Sequence, residues 1–286
     1  MYTAKIENSR GDVLLLSGNE PKWQIVSITG LNPPRARLNV AEIVGRDGGV
    51  FNLAKLETRN IVIMLKINGD AEANRLELEK YFVTKEDCRF YYTHGHLDVY
   101  IDGKVEACES SMFNARQVMQ ISIICAYPYF SAMDLIIQDA SGIRPMFTFP
   151  FTIDEDAPVV ISELDDSGGI KVNNTSDTAI GCEIVVTFSD SASEFALMNV
   201  GTGQTMVINY AFLADDVIRI NTKPSQKSIR LLSSGAYINL LGSMAYGSTF
   251  FQLQSGMNFF SYTVDSVTDS PKADVKFMYR YEYRGL

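Results

Sequence analysis

Between Gly201 and Val264 the chain is written in short runs of alternating polarity, each cut off by Gly, Asn, Asp, Ser or Pro. Met206, Ile208 and Tyr210, then Ile218 and Ile220, place apolar side chains at the two-residue period of a half-buried strand. Phe251 and Leu253, then Phe260, Tyr262 and Val264, do the same. Several such strands in a row, tied by tight turns, predict an antiparallel sandwich or barrel. None of these runs carries a nucleophile, a metal cluster or a phosphate cradle. The best-patterned region is therefore scaffold, which tilts the reading away from an enzyme.

A chain of 286 residues has room for one large or two ordinary domains. Its net charge of −9 is unevenly placed. Residues 1–130 hold 15 Lys and Arg against 16 Asp and Glu, whereas residues 131–286 hold 10 against 18. An acidic second half argues against a surface that grips nucleic acid, because such binding draws on clustered cations. The polar start and the brief Val13–Leu16 run do not make a secretory leader, and no run approaches the length of a membrane span. The expectation is a protein that folds in a cytoplasm and meets no membrane. There, Cys88, Cys108, Cys125 and Cys182, lacking any Cys-x-x-Cys spacing, read as buried free thiols.

The first part has a different texture. Trp23–Ile28 alternates, and the apolar run Asn60–Ile67 suits a central strand. Asp70 can cap a helix over 71–84, with Glu72 near its positive end and Ala71, Asn74, Leu78 and Tyr81/Phe82 as the buried stripe. Strands are expected at 88–92 and 97–101, then, after a hairpin turn at Asp102-Gly103, at 104–109 and 117–126. Pro128 closes this region, giving domains of 1–130 and 131–286. In the second domain, strands are expected at 146–151, 158–163, 169–173, 181–188 and 194–199, followed by the array above. The final run, Asp274–Tyr283, alternates strictly and should sit inside a sheet.

Candidates for chemistry are few. His94, His96 and Asp98 have ligand-like spacing, but Gly95 between them marks a solvated hairpin tip, and no other histidine exists to serve a triad. Asp154-Glu155-Asp156, Asp165-Asp166 and Asp215-Asp216 fall at predicted turns, where solvated acids are the default. Gly201-Thr202-Gly203 lacks the Gly-Lys of a phosphate loop and reads as a hairpin turn. Arg35 and Arg37 read as surface residues. Asn39–Phe51, with Gly45, Gly48 and Gly49, reads as a long polar loop of a kind that often binds. No catalytic, cofactor-binding or metal-binding residue is assigned, and no cofactor is expected.

An ordered set of segments resembles the distal tail proteins of long-tailed bacteriophages. It comprises Ile28–Pro34, Asp47–Phe51, Arg59–Ile63, Val105–Ala107 and Ile121–Phe130, then Gly201–Gly203, Ile220–Thr222, Ser248–Leu253 and Gly256–Asn258. Tyr127 stands where that family usually has an acidic residue. The resemblance implies a mostly β fold: a tail-tube-like N-terminal domain with one helix and a galectin-like C-terminal sandwich. It also implies a homo-hexameric ring at the tail tip, with a channel for DNA that is not specifically bound. Its partners would be the tail tube protein, a tail-tip or baseplate hub protein, and a receptor-binding protein. The protein would assemble in the host cytoplasm and end in the virion. The rival reading is a module that binds a carbohydrate or cell surface through the C-terminal sandwich.

Overall fold

A computed structural model describes residues 2–16, 22–111, 117–139, 143–145, 162–164, 169–266 and 273–286. The chain is mostly β, with one α-helix among the described residues. It divides into two units, Met1–Met133 with Glu282–Leu286, and Asp134–Tyr281.

In chain order the first unit contains β1 (Tyr2–Asn8), β2 (Val13–Leu15), β3 (Trp23–Thr29), β4 (Ala36–Glu42), β5 (Gly49–Leu56), β6 (Arg59–Ile67), α1 (Ala71–Tyr81), β7 (Asp87–His94), β8 (Leu97–Ser110), β9 (Val118–Cys125) and β10 (Phe130–Ala132). Its main sheet runs β2-β1-β7-β8-β9-β6-β3, with β10 also on β8. The apolar run after Arg59 becomes β6, paired on both sides by β9 and β3. Ile61, Ile63, Leu65 and Ile67 share one face and are all buried, with Ile123 and Ile121 opposite the first two. Each such side chain contributes about 1.5–3 kcal/mol by leaving water.

The helix begins where expected. Asp70 accepts a hydrogen bond from the Ala73 N–H at 3.2 Å, and Asn74, Leu78 and the following Phe82 are buried. It ends at Tyr81 rather than 84, because Phe82 leaves helical backbone while its N–H still bonds Leu78 O at 2.8 Å. Asp102-Gly103 is not a turn. β8 runs straight through it; the β7–β8 hairpin turns at Gly95, between His94 and Leu97, as its glycine indicates. Gly103 is glycine because β9 passes close: a Cβ there would lie 2.7 Å from Ile123 Cγ2.

The second unit contains β11 (Ile136–Asp139), β12 (Ile143–Pro145), β13 (Ser162–Leu164), β14 (Gly169–Asn174), β15 (Glu183–Phe188), β16 (Ala192–Asn199), β17 (Thr205–Phe212), β18 (Val217–Asn221), β19 (Ser228–Ser233), β20 (Ala236–Asn239), β21 (Gly256–Ser266) and β22 (Ala273–Tyr279). Two sheets, β11-β22-β15-β18-β19-β20 and β14-β21-β16-β17, send alternate residues into one shared core, which makes a β-sandwich. Phe188 stacks on Phe212 with ring centroids 4.2 Å apart, and Phe251, Phe260 and Phe277 continue that core. Thr249–Leu253 does not form the strand expected; Leu253 makes only an isolated bridge to Ile180. The expected strand at 146–151 and most of that at 158–163 lie outside the described residues.

The closing alternation divides between the units. β22 lies in the sandwich, the strand breaks at Arg280-Tyr281, and β23 (Glu282–Tyr283) pairs with β10 in the first unit.

Candidate functional site

The residues with the most chemistry do not converge. His94 and His96 are exposed at the tip of the β7–β8 hairpin. Among the described residues no three His, Cys, Asp or Glu side chains are grouped to hold a metal ion. Asp216 is 4% exposed and accepts a hydrogen bond from Leu213 N at 3.0 Å, with Asp215 at positive φ beside it, so this pair builds a turn. Asp154-Glu155-Asp156 and Asp165-Asp166 lie outside the described residues. Gly201–Gly203 is the β16–β17 turn: Asn199 Oδ1 accepts from the Gly201 and Thr202 N–H groups at 3.0 and 3.1 Å.

All four cysteines are free. Burial pushes the thiols of Cys88, Cys125 and Cys182 up to about 12, and that of Cys108 up to about 11. None is a thiolate at neutral pH, so none is a ready nucleophile.

What stands out is apolar surface. Residues 39–51 do not form a polar loop; they lie within an antiparallel hairpin of β4 and β5, pairing from Ala36↔Leu56 to Glu42↔Gly49. This ribbon is a sheet of its own, apart from the nine-stranded one. Leu38 and Val40 share a face with Phe51, which sits directly opposite Val40, while Ala41 pairs with Val50 on the other face. Phe51 is 66% exposed, and Val44 near the tip is fully exposed. Leu38, Val40, Ile43, Val50 and Leu53 are exposed as well. A two-stranded ribbon is at best marginally stable alone, and apolar side chains on both its faces require a cover. The alternation Leu38/Val40 and Phe51/Leu53 is present in the sequence. Three glycines within five residues masked it, and two of them, Gly45 and Gly48, take positive φ at the bend.

A buried cation ties the chain on either side of the ribbon. Arg59 is 3% exposed, and its guanidinium donates to the carbonyls of Pro128 at 2.9 Å, Asn32 at 2.7 Å and Arg284 at 2.6 Å. It also donates to Gly30 O and lies 4.4 Å from the centroid of the Phe130 ring. Burial lowers its pKa, yet a guanidinium starts so high that it stays charged. Alongside, Tyr127 donates to the buried Glu282 carboxylate at 2.6 Å, and burial raises the phenol well above its ordinary value.

The comparisons with known proteins bear on this arrangement. Residues 175–283 match the family described as siphovirus-type tail component, C-terminal domain. No curated protein sequence matches the chain. Among solved structures, the chain is similar to the SPP1 Dit protein (gp 19.1), described as a paradigm of the hub adsorption apparatus in Gram-positive infecting phages. That likeness has a TM-score of 0.70 at 13% identity over 97% of this chain and 99% of that one. It is also similar to a chain of the phage P2 baseplate in its activated conformation with Ca (TM-score 0.51, 16% identity, 98% of each chain). A chain of the p2 baseplate in its activated conformation with Sr gives a TM-score of 0.52 at 16% identity, over 97% of this chain and 98% of that one.

At these identities the structural matches establish the fold. It is the fold of those phage tail and baseplate chains, and residues 175–283 match the model of a tail-component C-terminal domain. The resemblance to distal tail proteins drawn from the sequence is borne out, and the similar proteins are structural parts of tails and baseplates.

Proposed function

We propose that this chain is a distal tail protein, a non-enzymatic part that joins the end of a phage tail tube to the tail tip or baseplate. Six copies form a ring through their first units, leaving a channel through which DNA passes. The second unit faces outward, toward the hub and receptor-binding components. The observation that carries this reading is the exposed apolar ribbon of β4 and β5 on a tail-hub fold. An arm that docks on a different surface of the next copy makes a head-to-tail contact, and such contacts close into rings when the rotation per copy divides a full turn. Sheet edges are available to receive it: β2 presents exposed Val13 and Leu15, and β3 presents exposed Val26. The near balance of charge in residues 1–130 suits a lumen that must not retain DNA, since a basic one would hold it.

Light scattering on the size-exclusion peak, with negative-stain class averages, tests this directly. Six-fold rings are expected at tens of micromolar or on addition of the tube protein. A monomer under both conditions would overturn the reading.

A further inference from the structure

The outward face of the six-stranded sheet holds a cleft of about 600 Å³, within the size range of small-ligand sites. It lies wholly in the second unit. Residues 134–281 carry nine Lys and Arg against seventeen Asp and Glu. Even so, three of those nine cations, Arg219, Lys227 and Arg230, line this one cleft, with Glu183 as the only acid among its lining residues.

The placement works against the fold. Arg219 of β18 sits directly opposite Arg230 of β19, and like charges in that relation destabilise a sheet. Glu183 on β15 relieves one of them, bonding Arg219 Nη1 at 3.1 Å. Lys227 lies 5.5 Å from the centroid of the Phe250 ring. Arg230 has no ion-pair partner among the described residues. An anion seated between the strands would resolve the repulsion.

The remaining lining narrows what that anion is attached to. Asn221, Gln226 and Ser228 offer amide and hydroxyl groups suited to hydroxyl recognition. Tyr237 is 65% exposed at the edge of the cleft, an amphipathic ring free to lie against the C–H face of a pyranose. We infer that this cleft binds a saccharide unit bearing a phosphate or a carboxylate. The inference does not rest on ring formation.

Calorimetric titration of the full-length chain tests it with four probes: glucose 1-phosphate, trigalacturonate, neutral cellotriose and inorganic phosphate. Saturable binding of at least one acidic sugar is expected, tighter than either cellotriose or inorganic phosphate. The preference between glucose 1-phosphate and trigalacturonate distinguishes a phosphate source from a carboxylate source. R230Q should weaken the acidic sugar about tenfold, the equivalent of one charge-assisted hydrogen bond. Y237S should weaken the sugar but leave inorganic phosphate unchanged. Both residues are solvent-facing, so melting should not move; K227Q serves in place of any variant that does unfold.

Failure of both acidic sugars to bind would overturn the inference. So would inorganic phosphate binding as tightly as glucose 1-phosphate, or hexaglutamate saturating the cleft when sugars do not, which would mark a protein-docking face.

Discussion

Arg59 spends its charge on carbonyl oxygens, and that choice decides what its loss would cost. Four carbonyls from three backbone segments meet at one guanidinium: Gly30 and Asn32 of one turn, Pro128, and the returning Arg284. Replacement by methionine keeps the bulk but leaves buried acceptors unpaired, for which about 3 kcal/mol of destabilisation is expected. Urea unfolding of R59M should show the loss in the transition that reports on Trp23, which lies in the same core. Cys182 makes a second residue-scale prediction. Its buried thiol titrates at about 12, against about 8.5 for an unfolded cysteine. The folded-state value is raised, so stability is fully present below the unfolded value and falls as pH climbs toward 12. The slope is at most about 1.4 kcal/mol per pH unit for that thiol. Unfolding free energy should stay flat from pH 7 to 8, then decline, and C182A should show a shallower decline than the parent.

At the scale of elements, the arm is where structure and surface chemistry separate most cleanly. Because β4 and β5 pair only with each other, replacing residues 38–54 by a short turn should leave the unfolding midpoint of the first unit unchanged. The same deletion should abolish self-association. Val40→Lys with Phe51→Lys puts two charges at directly opposed positions on one face and should do likewise, with light scattering as the readout. Much of the element list was legible beforehand. A continuous apolar run marked β6, period-two alternation marked β17 and β18, and Asp70 marked the helix start. What was not legible depended on neighbours distant in sequence. Asp102-Gly103 carries a hairpin signature, yet the glycine is there to admit β9, a fact held in Ile123 and Cys125. The arm reads as a loop in sequence because its glycines interrupt the alternation, and its apolar residues stay exposed among the described residues, so no buried face marks them. The cleft was likewise hidden, since Arg219 and Arg230 become opposed only through the β18–β19 register.

At the scale of the molecule, the chain crosses between units twice, at Met133/Asp134 and again at Tyr281/Glu282. Among the contacts that seat the last residues in the first unit are β23 on β10, the Tyr127–Glu282 hydrogen bond, Arg59 on Arg284 O, and Leu286 N on Leu31 O at 3.1 Å. Truncation after Tyr281 removes all of them while leaving β22 and the sandwich core complete. Hydrogen exchange should therefore speed up around β10 and the Gly30–Asn32 turn of the truncated chain, with protection of β15, β18 and β22 unchanged. If the sandwich lost protection to the same degree, the tail would be a structural part of both units rather than a clasp on the first. If nothing changed, the contacts of the buried Glu282 and of Arg284 O would be dispensable to the fold of the first unit.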